Sequence, residues 1–236
     1  MEDFNQGNPN NGAANQYGNP VYSTPQGSGV NLGDEINRFF KDDLKNLVVN
    51  LFKYPYSGAQ RFLDNSVKSG YSPLCMIILS FLVVIIFSLL SSIGSSVNFG
   101  TIVKMGLMPV FFALFITLFM FVFMAIKKNT DLLLAFRHSS IHVFLFTVAF
   151  VIIMLISMIF FDTSNILNFL SSNFKGASAL MSLVIIFAFS MGISASRQLL
   201  HTCESAEKEA YSWYFALLVD CLSLWLTIRI FVAMLY

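Results

Sequence analysis

Two charged residues, Asp220 and Arg229, interrupt the apolar run 213–235. A carboxyl in the middle of a membrane helix costs about 2.5–3.5 kcal/mol on insertion scales, so a residue kept there has a task. Either it passes an ion or a proton, or it ties helices together by hydrogen bonds, and an isolated acid favours the tie. The two charges cannot neutralise each other from one helix. Nine residues of separation at about 100° each put them on opposite faces and about 13 Å apart along the axis. Partners must come from other segments, and the run 141–161 offers His142 at one end and Asp162 at the other. An Arg229–Asp162 pair is feasible in depth because arginine extends its head group outward. Asp220 lies about 10 Å in from the opposite surface, which makes His142 a longer reach.

Other chemistry is thin. His138 and His142 are four residues apart and share a helical face, so two metal ligands can be drawn, yet no HExxH and no second cluster completes a site. With His201 they fall at the edge of apolar runs, where a histidine is expected to be solvated. Cys75, Cys203 and Cys221 have no ligand spacing, and three cannot pair completely. No nucleophile with a base and an orienting group is visible, and no GxGxxG, so neither enzyme activity, metal nor cofactor is expected. The stretch RQLLHTCESAEKEAYS reads as a solvated extension of the helix before it.

The elements that position these residues follow from composition. Of 236 residues 56% are hydrophobic and only 11% charged, which excludes an ordinary soluble enzyme. With 14 basic and 13 acidic residues the net charge is +1, which leaves no basic face for nucleic acid. A hydrocarbon core of about 30 Å needs roughly twenty helical residues. Five runs meet or approach that length: 73–93, 107–126, 141–161, 176–196 and 213–235. No ten-residue alternation suggests a barrel, so the expected fold is an all-α integral membrane bundle of five helices over 73–236. In the fourth run Ala188, Gly192 and Ser196 recur every four residues and would let a neighbouring helix approach closely.

Ahead of the bundle, residues 1–33 are rich in Asn, Gln, Gly and Pro and read as a disordered tail, because they bury too little apolar surface to offset ordering. Residues 34–72 read as amphipathic segments. Ile36, Phe39, Phe40, Leu44, Leu47, Val48, Leu51 and Phe52 keep the helical period, with Asp34 as N-cap and Pro55 as terminator. Such a helix either floats its apolar face in the headgroup layer or packs on the ends of the spans.

Basic residues set the orientation. Arg38, Lys41, Lys45, Lys53, Arg61 and Lys68 precede the first run, and the alternate loops add Lys127, Lys128, Arg137, Arg197 and Lys208. The other side holds Lys104 and Lys175. The N-terminus is therefore expected in the cytoplasm and Tyr236 outside, in a bacterial cytoplasmic membrane.

The layout of tail, pre-membrane helix and five close spans resembles the Ypt-interacting-protein (YIP) family and its bacterial relatives. The carrying segment is FFKDDLKNLVVNLFKYPYSGAQRFLDNS, residues 39–66, where a helix meets Pro55 shortly before the first span. KYPYSG stands where eukaryotic members carry an aspartate-leucine-tyrosine-glycine-proline signature. The resemblance implies a non-enzymatic membrane protein that organises lipid or recruits a protein partner through its cytoplasmic N-terminal region. The alternative is a small transporter, channel or transporter subunit using Asp220 and Arg229.

Overall fold

The computed structural model describes residues 31–54, 57–65, 71–92, 98–126, 131–160, 177–202 and 209–235. Among these residues every element is helical: α1 (Leu32–Arg38), a π-helical turn (Phe39–Asp43), α2 (Leu44–Lys53), α3 (Gly58–Asn65), α4 (Tyr71–Ser91), α5 (Phe99–Gly106), α6 (Met108–Ile126), α7 (Leu132–Phe160), α8 (Ala177–Thr202) and α9 (Glu209–Leu235). Most of the expected tail, residues 1–30, lies outside the described residues, as do Asp162 and Tyr236.

Five stretches, Tyr71–Leu90, Phe99–Ile126, Leu132–Met158, Leu180–Leu200 and Tyr211–Met234, are long and apolar enough to cross a membrane. On α4 the sorting of side chains runs opposite to that of a water-soluble helix. In α4 the column Ser72, Met76, Ser80, Val84 and Ser88 is buried, whereas Leu74, Ile78, Leu82 and Ile86 are exposed. Serine inside and leucine outside is the sorting that hydrocarbon imposes, since a polar group there must find a protein partner. The chain thus fits a multi-pass membrane protein.

Helices α6, α7, α8 and α9 form a ring in which each packs on the next, while α4 lies outside it against α7 and α6. Across the α4–α7 contact Ser80 and Thr147 share a hydrogen bond, and Thr147 also donates to the Val143 carbonyl at 2.7 Å. Phe112 meets Phe146 at 5.5 Å between α6 and α7, and Phe123 meets Phe215 at 4.8 Å between α6 and α9. Hydroxyl pairs in membrane interiors contribute only about 0.6 kcal/mol on average. Ser80→Ala is therefore expected to lower stability by about that amount in detergent unfolding, and a loss several times larger would show that the Ser80–Thr147 bond positions α4.

The starts of the second and third spans differ most from the sequence expectation. The second begins at Phe99, because α5 precedes α6 and Leu107 bridges them, its N–H donating to Val103 and Lys104 at 3.2 Å. Pro109 sits in the first turn of α6, where its missing N–H is harmless. In the same last turn of α5, Lys104 donates its Nζ to the Met234 carbonyl and so fixes α5 to the end of α9. The third span begins at Leu132 and not at residue 141, because Asp131 caps α7 by accepting from the Leu134 N–H at 2.9 Å. Arg137, His138 and His142 therefore lie within a helix and not at its mouth.

Before the bundle, Asp34 is not the N-cap: α1 already starts at Leu32, and Asp34 and Glu35 occupy its first turn, where acids suit the helix dipole. The apolar positions divide into two columns. Phe39, Leu47 and Leu51 are buried together with Asp43, while Ile36, Phe40, Val48 and Phe52 are exposed and Leu44 is half-buried. The π turn, in which the Leu44 N–H donates to the Phe39 carbonyl, joins α1 to α2 without breaking the chain of hydrogen bonds. After the turn at Tyr54, Gly58 packs on α2 so closely that a Cβ would lie 2.0 Å from the Asn50 carbonyl oxygen. Ala59, Phe62 and Leu63 of α3 are buried.

Candidate functional site

The polar residues of α7, α8 and α9 converge inside the ring. Asp220, His142, His138 and Ser196 are each at most 3% exposed. His142 Nε2 lies 3.0 Å from Asp220 Oδ1 and 3.0 Å from Ser196 Oγ, which itself donates to Asp220 Oδ1 at 3.1 Å. His138 Nε2 reaches Ser196 Oγ at 3.4 Å, and the two imidazoles meet edge to face with centroids 4.7 Å apart. His142 Nδ1 faces the His138 carbonyl at 3.4 Å.

Sequence spacing builds this geometry. His138 and His142 stand one turn apart on one face of α7, and α8 presents Gly192 and Ser196 at the same spacing. Gly192 creates the space: a Cβ there would lie 3.3 Å from His142 Cδ2 and 3.5 Å from Asp220 Oδ2. On the α6 side Phe112 closes the site, its ring 6.4 Å from that of His142. The cluster thus bridges α7 and α9 across the ring, with α8 supplying the hydroxyl and the gap.

Bonding within it is incomplete. His138 Nδ1, Asp220 Oδ2 and the Ser223 hydroxyl are buried and have no hydrogen-bond partner among the described residues. An unsatisfied buried polar atom costs about 1–3 kcal/mol. Asp220 and Ser223 stand three residues apart on α9, and His138 stands on α7.

The residue types are those of a hydrolase triad, but the arrangement is not. In that machinery serine and aspartate occupy opposite imidazole nitrogens, so that the ring relays a proton between them. In this chain Ser196 and Asp220 meet the same nitrogen, Nε2. Among the described residues no group of three His, Cys, Asp or Glu side chains is arranged to hold a metal ion.

The structure brings together only some of the residues singled out from sequence. His142 and Asp220 are in contact, contrary to the expectation that the reach was long, and neither they nor His138 is solvated. Arg229 is exposed on the opposite face of α9, its guanidinium 5.6 Å from the Trp225 ring centroid, and its proposed partner Asp162 lies outside the described residues. In the small-residue series Gly192 and Ser196 are buried and Ala188 is half-buried, and Ser196 is a member of the polar cluster as well as a spacer. Ser196 was read from the sequence only as a packing residue, and His138 only as half of an incomplete metal pair. Their i, i+4 register with Gly192 and His142 was the available signal.

A second region abuts the first. The N-terminal helices grip the bundle next to the cluster: Arg137, the residue before His138, donates to the Leu63 carbonyl at 2.8 Å, and the Gln60 N–H donates to Gln198 Oε1 at 3.2 Å. Phe52 meets Phe144 edge to face at 6.3 Å, twelve residues along α7 from its start. Asp43 is buried where α4 begins. Burial raises its carboxyl pKa above the ordinary range, with Asp42 adding to the rise and Ser72, Arg38 and Arg137 opposing it. The folded state therefore holds this proton more tightly than the unfolded chain, so stability is greatest at low pH and falls as pH rises through the folded value. Asp43→Asn is expected to remove that decline and to slow amide exchange in α1–α3 at neutral pH; a variant with the wild-type pH profile would exclude Asp43 as its origin.

No protein-family model, curated protein or solved structure matches this chain.

Proposed function

We propose that the chain is a non-enzymatic, multi-pass membrane protein that organises the membrane around it, in the manner its layout shares with YIP-type proteins. The five-helix bundle anchors it, and the helices α1–α3 act as a wedge in the cytoplasmic headgroup layer. One observation carries this reading: the column Ile36, Phe40, Val48 and Phe52 faces away from the core, while Phe52 touches Phe144 well along α7. Phe144 belongs to the third apolar stretch, Leu132–Met158, so the end of the exposed column at Phe52 adjoins an apolar part of the bundle. Lys41, Lys45, Lys53 and Arg61 lie on the same segments and suit anionic headgroups on the cytoplasmic leaflet. Apolar side chains inserted on one side of a bilayer expand that leaflet and bend it. A protein partner docked through the N-terminal region would then be held at a shaped membrane.

The test uses the full-length protein reconstituted into vesicles containing anionic lipid, with vesicle shape read by electron microscopy. Wild type is expected to narrow or tubulate the vesicles, and the double variant Phe40→Gln, Val48→Gln to leave them round while the bundle stays folded. Round vesicles with wild type, or identical deformation by the variant, would remove the proposal.

A further inference from the structure

We propose that His138, Ser196, His142 and Asp220 form an intramembrane proton-binding site, in which His138 accepts a proton at Nδ1 and Ser196 passes its charge on to Asp220. This goes beyond the membrane-organising reading and stands or falls independently of it.

The hydrogen-bond roles lead to it. The Ser196 hydroxyl has one proton, and it donates that proton to Asp220 Oδ1 at 3.1 Å. His138 Nε2, 3.4 Å from Ser196 Oγ, must then be the donor of its pair, which leaves Nδ1 of the same ring as a bare acceptor. That atom is buried and has no hydrogen-bond partner among the described residues. His142 differs, because both of its nitrogens face acceptors: Nδ1 faces the His138 carbonyl at 3.4 Å, and Nε2 faces Asp220 Oδ1 at 3.0 Å. The cluster therefore has an ion pair, His142 with Asp220, and a vacant proton site one helical turn away on His138.

A proton arriving at His138 Nδ1 can move its charge without any atom leaving. The His138 Nε2 proton passes to Ser196 Oγ as the Ser196 proton passes to Asp220 Oδ1. Ser196 Oγ gains one proton as it loses one, His138 gains a proton at Nδ1 and gives up the one at Nε2 and so ends neutral in its other tautomer, and the Asp220 carboxylate ends with the one net proton that entered. Asp220 Oδ2, also without a partner among the described residues, is the second oxygen of that acceptor. No redox step or co-reactant is involved.

The surroundings leave these groups to one another. Helix α6 contains no ionisable residue. Arg137 of α7 donates to the Leu63 carbonyl, and Arg197, the first charge after Ser196 on α8, lies 5.0 Å from the Trp213 ring. On α9, Tyr211, Tyr214, Cys221 and Arg229 are exposed. On α4, which packs on the other side of α7, Tyr71 is exposed and Cys75 is half-buried near Asp43.

The test follows protonation directly, using the full chain in lipid nanodiscs with nitrogen-labelled histidine, read by solid-state NMR from about pH 8 to pH 5. A carboxyl band in infrared difference spectra reports Asp220. His138 is expected to change in this range from the Nε2–H to the Nδ1–H tautomer, and the carboxylic-acid band of Asp220 to rise with the same midpoint. Ser196→Ala is expected to separate the two midpoints, and Ser196→Thr, which restores the hydroxyl, to rejoin them. Wild-type protein in which His138 keeps one tautomer throughout, or in which Asp220 fails to respond with it, overturns the proposal without recourse to a variant. Coincident midpoints in Ser196→Ala would overturn the role of the hydroxyl.

Discussion

Asp220→Ala is expected to lower the unfolding free energy of the bundle by about 2–4 kcal/mol, the largest loss of any single side chain in the ring. The range follows from the general behaviour of buried ion pairs. Removing one partner costs about 3–5 kcal/mol because the other is left charged and unpaired, and a histidine can shed its proton and recover part of that. His142 would retain the Ser196 hydroxyl and the backbone groups of His138 and Gly192, none of which carries a charge to balance it. The double variant Asp220→Leu, His142→Leu should recover most of the loss, since an apolar pair of similar volume often does as well as a buried ionic one. Reversible unfolding in mixed micelles gives both values. A loss under about 0.6 kcal/mol, the usual contribution of an interhelical hydrogen bond in a membrane protein, would mean that the cluster does not hold α7 to α9.

Gly58→Ala is expected to release α3 from α2 and loosen the whole N-terminal cap, at about 2–3 kcal/mol, the upper part of the range for overpacking. The added methyl would stand 2.0 Å from the Asn50 carbonyl oxygen and 3.0 Å from the Leu51 Cα. Both obstacles are backbone, so no rotamer change relieves them. The Gly58 N–H also donates to the Tyr54 carbonyl at 2.6 Å, and the turn has to open to make room. Hydrogen exchange should show faster exchange of α3 amides with α7 and α9 unaffected. Unchanged protection in α3 would count against the close contact.

The five spans were legible because each is a long apolar run that only a helix can carry through hydrocarbon. Their ends were not, and the site depended on an end. Starting the third span at residue 141 put His142 at the membrane edge, whereas the Asp131 cap starts α7 at Leu132, about six turns of α7 still to come after His138. The residues between, LLLAF, are as apolar as the run itself, and Arg137 hid the continuity. That arginine is satisfied by a carbonyl of α3, a tertiary contact no local pattern reveals. The same limit applies to residues 34–53. The helical period was visible, but its division into a buried column through Phe39, Leu47 and Leu51 and an exposed one through Phe40, Val48 and Phe52 depends on where the bundle lies. Arg229 was read as a charge in need of a partner; it is exposed over Trp225, and Asp162 lies outside the described residues.

The bridge across the ring also fixes an order of assembly. His142 and Ser196 precede Asp220 in the chain, so during synthesis both are in place before the last helix leaves the ribosome. A segment bearing an aspartate near its middle partitions poorly into lipid alone, and α9 also has Arg229. Its entry is expected to be eased by the imidazole of α7 and the hydroxyl of α8, which would couple membrane insertion of α9 to correct packing of those two helices. Truncated nascent chains ending after α9 should integrate less completely when His142 is replaced by leucine, and chains in which Asp220 is leucine as well should not depend on that histidine.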